Sequence, residues 1–264
     1  MSTSRPLSFI LAASDQGTLI LNRHDQHVVD ATQTYGVGHE ILMHAAYNPS
    51  EVGMVLTVLN WLREIRGDGV LAIDCGANVG VHTISMARHM THWGRVVAFE
   101  AQERIYYALA GNICLNNCFN ARAINAALGD SEGTLSIPTP DYNRPGSFGS
   151  LELVQRANTE NIGQPIDYRP EALQPVRALR LDGGGFQRVD FLKIDVEGME
   201  LPVLHGARDL IARFRPYLLI EHIKTDHAAL TELLTASGYR VWTTGMNTLA
   251  LPVDDPCVER IKTS

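Results

Sequence analysis

The sequence predicts an α/β protein: a doubly wound, mostly parallel sheet of seven strands, flanked by helices and preceded by an N-terminal extension. Three observations carry that prediction. Short apolar runs ending in an acid recur along the chain, at residues 70–74, 94–100 and 189–195. Longer stretches with apolar residues at helical spacing lie between them, giving the β-α alternation that a parallel sheet requires. The alternation stops near the end, where residues 239–243 and 249–252 read as a closing antiparallel pair.

Length and charge narrow the class. A chain of 264 residues holds one large α/β domain with an accessory segment. The expected division is an extension over 1–50, with a hairpin and a lid loop, and a domain over 51–264 with an inserted loop at 138–175. Lys and Arg number 22 against 29 Asp and Glu, a net charge of −7, and three of the basic residues are Lys. Without a basic block, that balance disfavours nucleic acid and anionic membranes as partners. The four Cys, at 75, 114, 118 and 257, form neither a CxxC pair nor a zinc pattern. Reduced thiols in a cytoplasmic protein are therefore expected, with Cys114 and Cys118 as small buried side chains on one helical face. Arg5 ahead of residues 7–13 has the outline of a signal peptide, but its apolar run is at the short limit, and no run approaches the roughly 20 residues of a membrane span.

Taken in order, residues 18–29 alternate enough for a hairpin turning at Arg23–Gln26, and residues 33–47 read as a loop able to fold over a ligand, with Tyr35 and His39 as candidates. Pro49-Ser50 opens a helix over 51–66, with Val52, Val55, Leu56, Leu59, Leu62 and Ile65 on one stripe and Gly67-Asp68-Gly69 as its stop.

The most informative stretch follows. The run Val70-Leu71-Ala72-Ile73-Asp74 breaks into Cys75-Gly76-Ala77-Asn78-Val79-Gly80 and then a helix over 79–89. A buried strand that hands over to a helix through such a turn marks the ligand-binding edge of an α/β sheet, and the free N–H groups at the helix start suit an anion. Gly76 and Gly80 allow close backbone approach, and Asn78 tolerates a left-handed conformation. A dinucleotide fingerprint needs Gly where this chain has Asn78 and Val81. S-adenosylmethionine, which has no pyrophosphate but offers a carboxylate and an ammonium, fits the turn and Asp74 better.

Glu100 ends the second strand, 20 residues beyond Gly80, where a ribose needs an acceptor for its hydroxyls. Ala101 follows it. A helix over 102–117 and a third strand over 121–128 come next, with Ala126 and Ala127 small enough to border a flat base. A short strand at 134–137 gives way to the Pro-, Gly- and Ser-rich tract, where Tyr142, Ser147 and Ser150 are acceptor candidates. The fourth strand ends in Asp195-Val196-Glu197-Gly198. A helix over 201–214, a fifth strand over 216–222 ending in Glu221-His222, and a helix over 226–237 complete the alternation.

Three blocks, Ile73 through Gly80, Val97-Ala98-Phe99-Glu100-Ala101, and Leu192-Lys193-Ile194-Asp195-Val196-Glu197-Gly198-Met199-Glu200, give the chain its resemblance to the FkbM-type S-adenosylmethionine-dependent methyltransferases. The resemblance implies the Rossmann-like class I methyltransferase fold and, most often, methylation of a hydroxyl on a sugar or secondary metabolite. It implies that Asp74, Gly76, Asn78, Gly80 and Glu100 meet the cofactor and that Asp195 lies at the active site; Ala77, Ala101, Ala126 and Asp195 itself complete the expected cofactor contacts. Neither the first sixty residues nor the tract at 138–175 is covered, and these regions are expected to choose a small-molecule or glycan acceptor.

Methyl transfer needs an acceptor held in line, water excluded and a proton removed. Asp195, Glu197 and His222 are the candidate bases. Asp195 with Glu221 or His222 also offers two ligands for a divalent metal, similar to the arrangement in catechol O-methyltransferase, with no third ligand identifiable. The Asn- or Asp-Pro-Pro-Tyr of methyltransferases acting on amino groups is replaced by Asp195-Val196-Glu197-Gly198, which favours an oxygen acceptor. A nicotinamide-dependent oxidoreductase and a catalytically silent nucleoside-binding module are the alternatives.

Overall fold

The computed structural model describes residues 6–261; Arg5, which opens the signal-peptide outline, lies outside the described residues, whereas most of the apolar run after it forms the first strand. The chain starts with an antiparallel hairpin, β1 (Phe9–Ser14) and β2 (Gly17–Asn22), then a minimal pair, β3 (His27–Val28) and β4 (Thr34–Tyr35). The hairpin expected at 18–29 is therefore displaced toward the N-terminus. Its turn falls at Asp15-Gln16, with Gly17 at φ 121°, because burying Leu19 and Leu21 on one face needs a partner strand and residues 9–14 supply it. Asn112 fastens this hairpin to the body by donating from Nδ2 to the carbonyls of Ile20 (3.0 Å) and Val79 (2.8 Å). The predicted loop at 33–47 contains a two-turn helix, α1 (Val37–His44), which buries Val37 and Ile41. Its Gly36 N-cap supplies no side-chain oxygen, so the usual helix-start signal is missing from the sequence.

Helix α2 (Pro49–Arg66) starts where the sequence places it. Asn48 accepts from the Glu51 N–H, and Pro49 occupies the first position. Val52, Val55, Leu59 and Leu62 are buried as predicted, each worth about 1.5–3 kcal/mol on full burial. Ile65, at the helix end, is instead exposed.

Next come β5 (Val70–Cys75), α3 (Val81–His89), β6 (Gly94–Glu100), α4 (Glu103–Leu115) and β7 (Ala121–Asn125). The strand predicted over 121–128 is broken at Ala126. Its second part, β8 (Ala127–Leu128), leaves to join a small sheet with β9 (Gly133–Ile137) and β10 (Gln174–Leu179), the last of which has no counterpart in the sequence prediction. After β11 (Phe191–Ile194), the helix expected over 201–214 is two, α5 (Glu200–His205) and α6 (Arg208–Phe214). The break is at Gly206, whose Cα lies too close to the Gly129 carbonyl for a Cβ to fit. Strand β12 (Tyr217–Glu221), α7 (His227–Ala236), β13 (Tyr239–Thr244) and β14 (Asn247–Pro252) complete the strands and α-helices, and a short 3-10 turn at Pro256–Arg260 follows.

The seven-stranded sheet has the order β13-β14-β12-β11-β5-β6-β7, with β14 antiparallel to both its neighbours and the other contacts parallel. This is the doubly wound, mostly parallel sheet the sequence predicts, with the reversed strand one place in from the edge. All six residues of β5 are buried because alternate side chains feed two different layers. Val70 and Ala72 pack with α2, α3 and α4, whereas Leu71, Ile73 and Cys75 pack with α5, α6 and α7. The same alternation runs through Val96 and Ala98 on β6, Phe191 on β11, and Tyr217 and Leu219 on β12, all in the first layer. Continued to the strand tips, that phase carries Asp74, Glu100, Lys193 and Glu221 toward the α2–α3 side. It carries His222 to the other.

Candidate active site

At the carboxyl ends of β5, β6 and β11 the chain opens into a cavity of about 520 Å³. The three tips are joined by backbone hydrogen bonds: Gly76 and Ala77 N–H donate to the Phe99 carbonyl (3.0 and 2.9 Å), and Asp195 N–H donates to the Cys75 carbonyl (3.0 Å). The turn after β5 takes left-handed conformations at Gly76 (φ 82°), Asn78 (φ 51°) and Gly80 (φ 96°). A Cβ at Gly76 would collide with the Asp195 carbonyl oxygen, so this glycine sets how closely the first turn approaches the fourth parallel strand.

Each predicted cofactor position except Gly80 lines this cavity; Gly80 caps α3 beside it and abuts Leu109. Asp74 is buried and accepts from the Thr83 hydroxyl at 2.6 Å. Glu100 is also buried, and its two oxygens accept separately from the N–H groups of Asn78 (2.9 Å) and Gln102 (2.8 Å). Burial raises the Glu100 carboxyl to about 7 against the opposing pull of those hydrogen bonds, with the charge of Asp74 adding to the rise. Ala101, Ala126, Ala127, Leu128 and Leu153 supply an apolar part of the lining.

The other end of the cavity gathers carboxylates from distant segments. Asp195, Glu197 and Glu221 each place an oxygen within 4.8 Å of the others. Glu197 thus completes the three-carboxylate group for which the sequence supplied two members. Two of the acids already have lysine partners: Lys193 Nζ lies 2.9 Å from Asp195, and Lys224 Nζ lies 2.7 Å from Glu197. Lys193 is buried mid-strand, and although burial opposes its charge, Asp195, Asp74 and Glu51 together raise its pKa. Glu221 has no such partner among the described residues, and burial with the charges of Asp195 and Glu197 pushes its carboxyl well up. Glu197 is driven in the same direction by burial and Asp195. Protein cations and protons therefore balance this cluster. His222 is not brought to it: its Nδ1 lies 2.9 Å from the Thr248 hydroxyl, and its ring packs on His227 on the opposite side of the sheet tip.

Both regions outside the family blocks reach the cavity. Tyr35, Ser147 and Ser150 line it, whereas Tyr142 and His39 do not; Tyr142 donates to Gln102 instead (3.1 Å). Asp25 joins the two covers, accepting from Gly38 N–H (2.8 Å) and Phe148 N–H (2.9 Å) while burial pushes its carboxyl up to about 6. The sequence reading missed Tyr47, Lys193 and His82, all in the cavity wall. For Lys193 a signal existed, since a lysine inside an apolar strand requires buried acids around it.

Comparisons with known proteins place the chain among methyltransferases. The Methyltransferase FkbM domain model matches residues 74–241. Methyltransferase sdnD of Sordaria araneosa is 31% identical over 154 residues, covering 51% of this chain and 59% of that protein. The AMB antimetabolite synthetase AmbE of Pseudomonas aeruginosa is 27% identical over 278 aligned residues, covering 90% of this chain and 12% of that protein. A crystal structure of a methyltransferase FkbM from Methylobacillus flagellatus KT has a TM-score of 0.48 at 18% identity, covering 70% of this chain and 44% of that one. The chain thus spans less than two thirds of the length of sdnD and less than half of that solved structure. With more than half of its residues matched by the family model, and with the turn, the acid tips and the seven-stranded sheet all in place, the chain belongs to the FkbM methyltransferase family.

Proposed function

We propose that this chain transfers the methyl group of S-adenosylmethionine to a hydroxyl oxygen of a small-molecule or glycan acceptor. One observation carries the reading: a single cavity runs from the Gly76–Gly80 turn and Glu100 to the carboxylates of Asp195, Glu197 and Glu221. On this reading Glu100 accepts from the ribose, the wall at Ala101 and Ala126 borders the adenine, and the turn with Asp74 and Asp195 meets the amino-acid end. S-adenosylmethionine supplies a methyl group already activated on a sulfonium.

The protein's own work is placement and proton removal. Ser147 and Ser150 from the 138–175 tract, with Tyr35 from the extension, close over the cavity and exclude water. The acceptor oxygen sits beside Asp195, with Glu197 and Glu221 next to it. Its proton passes to this carboxylate group, where burial has already raised the proton affinity of two members. The net charge of −7 and the acidic walls support a small neutral or cationic acceptor over nucleic acid. Among the described residues no helix is long and apolar enough to cross a membrane.

Calorimetric titration with S-adenosylhomocysteine and with NAD tests the cofactor, and a screen of hydroxyl, carboxyl and amino acceptors with labelled methyl donor tests the chemistry. Binding of S-adenosylhomocysteine alone, with label recovered as a base-stable ether, supports the reading. NAD binding without S-adenosylhomocysteine, or label on nitrogen, overturns it.

A further inference from the structure

Tyr35 and Tyr47 both line the cavity, but their hydroxyls stand differently. Tyr35 is half exposed, and its hydroxyl reaches Gln33 at 3.4 Å. Tyr47 packs its ring against the core layer of α2, α3 and α4, and its hydroxyl makes no hydrogen bond among the described residues. That oxygen is not sealed in, as the unpartnered Tyr239 hydroxyl is; it opens on the cavity.

The backbone fixes this side chain from both sides. Tyr47 lies in the link between α1 and α2, where Ala45 (φ 55°) and Asn48 (φ 40°) take left-handed conformations. The Ala45 carbonyl accepts from Asp15 N–H (2.8 Å), and Asn48 caps α2. A stiff aromatic body on a fixed link presents its hydroxyl at little cost in conformational entropy. The charged groups acting on that hydroxyl are Asp195, Lys193, Glu221 and Glu51. Burial, with the three acids adding to it and Lys193 opposing, pushes the phenol far above its ordinary pKa. It therefore keeps its proton, as a donor that no protein acceptor has taken.

Such a donor is what this end of the cavity otherwise lacks. An acceptor hydroxyl that gives up its proton beside Asp195, Glu197 and Glu221 carries growing negative charge among carboxylates that repel it. The lysines there are already paired: Lys193 with Asp195, and Lys224 with Glu197, Glu160 (3.0 Å) and the Ser150 carbonyl (2.8 Å). Resting on the methyl-transfer reading, we propose that Tyr47 donates its O–H to the acceptor oxygen that receives the methyl group. In that step a lone pair on the acceptor oxygen forms the O–CH3 bond as the S–CH3 bond breaks toward sulfur. The acceptor's proton goes to Asp195, and Tyr47 keeps its own. Tyr47 lies outside residues 74–241, the stretch that the family model matches.

Tyr47→Phe keeps the ring and removes only the hydroxyl. Parent and variant are assayed with labelled S-adenosylmethionine and three alcohols, glycerol, benzyl alcohol and methyl α-D-glucopyranoside, each beside its thiol counterpart. On the alcohol that the parent labels fastest, kcat is expected to fall about 10- to 100-fold in the variant, with S-adenosylhomocysteine affinity by calorimetry within about threefold. On the matching thiol the loss is expected to stay under about threefold, because sulfur accepts hydrogen bonds weakly and ionises without help. The alcohol-to-thiol ratio is taken within each protein, so a lower folded fraction does not move it. An unchanged kcat on the alcohol, or equal losses on alcohol and thiol, overturns the assignment. Weakening of S-adenosylhomocysteine as large as the fall in turnover puts Tyr47 on the cofactor and overturns it as well. A parent that binds S-adenosylhomocysteine yet labels none of the alcohols overturns the hydroxyl-transfer reading and this assignment with it, whereas one that binds no S-adenosylhomocysteine overturns the cofactor reading itself.

Discussion

The two ends of the cavity both present carboxylates, but they hold them by different means. At the end formed by β5 and β6, Glu100 is fixed by two backbone N–H groups and Asp74 by a hydroxyl three residues into the next helix turn, all within 29 residues of chain from Asp74 to Gln102. At the end formed by β11 and β12, Asp195 and Glu197 are fixed by the lysines of two different segments, and Glu221 makes no ion pair among the described residues, with only the more distant Lys193 opposing the rise of its carboxyl. Backbone and hydroxyl donors keep the first pair fixed, which suits binding. The crowded second group holds protons that it can exchange, which suits chemistry. A carboxylate's role here follows from what partners it rather than from its position at a strand tip.

The widest test strikes the point where the ends meet. Gly76→Ala forces a Cβ against the Asp195 carbonyl at a positive φ; the expected loss is about 2–4 kcal/mol of stability, or roughly 5–10 °C in a thermal melt, together with loss of S-adenosylhomocysteine binding. A melt within a degree of the parent would show that the two tips are not rigidly coupled. Asp195→Asn next separates the ends: turnover with an acceptor found by screening should fall about a hundredfold while S-adenosylhomocysteine affinity, which this residue also serves, falls by about tenfold at most. Equal losses in both would merge the two ends into one binding surface.

Glu100 sharpens the binding side. Its Gln variant is expected to weaken S-adenosylhomocysteine by about 10- to 30-fold at pH 8. Because burial holds the free carboxyl at about 7, and the ionised form is the better acceptor for ribose hydroxyls, parent affinity should fall as pH drops below that value, by at most about tenfold per unit. Titrations from pH 5.5 to 8.5 should show that slope in the parent and a flatter line in Glu100→Gln. The smallest effect belongs to His222→Asn, which alters a residue on the far side of the sheet tip and should change turnover less than about twofold. A large loss there would return this histidine to the reaction.

Legibility in the sequence followed chain distance. The turn at Gly76–Gly80, Glu100, the helix over 49–66 and the closing antiparallel pair are local, and propensity with spacing finds them. Strand β10, the break at Gly206 and helix α1 escaped because partners far along the chain create them: β8 and β9 for the first, the Gly129 carbonyl for the second, and Asp25 accepting from Gly38 for the third. His222 illustrates the same limit. Its neighbour Glu221 continues the phase of Tyr217 and Leu219, so the two tip residues must part to opposite faces, but only the register of β12 beside β11 shows which face holds the cavity.

By itself, then, the sequence determined the β-α alternation, the doubly wound sheet and the acid-tipped strands, because apolar periodicity and turn chemistry act over a few residues. The tertiary structure alone decided that Glu51 pairs with His82, that Lys224 neutralises Glu197, and that the N-terminal extension and the 138–175 tract meet over one cavity through Asp25. Those pairings join residues up to 123 positions apart, and no local preference encodes a contact whose energy exists only after the chain has closed.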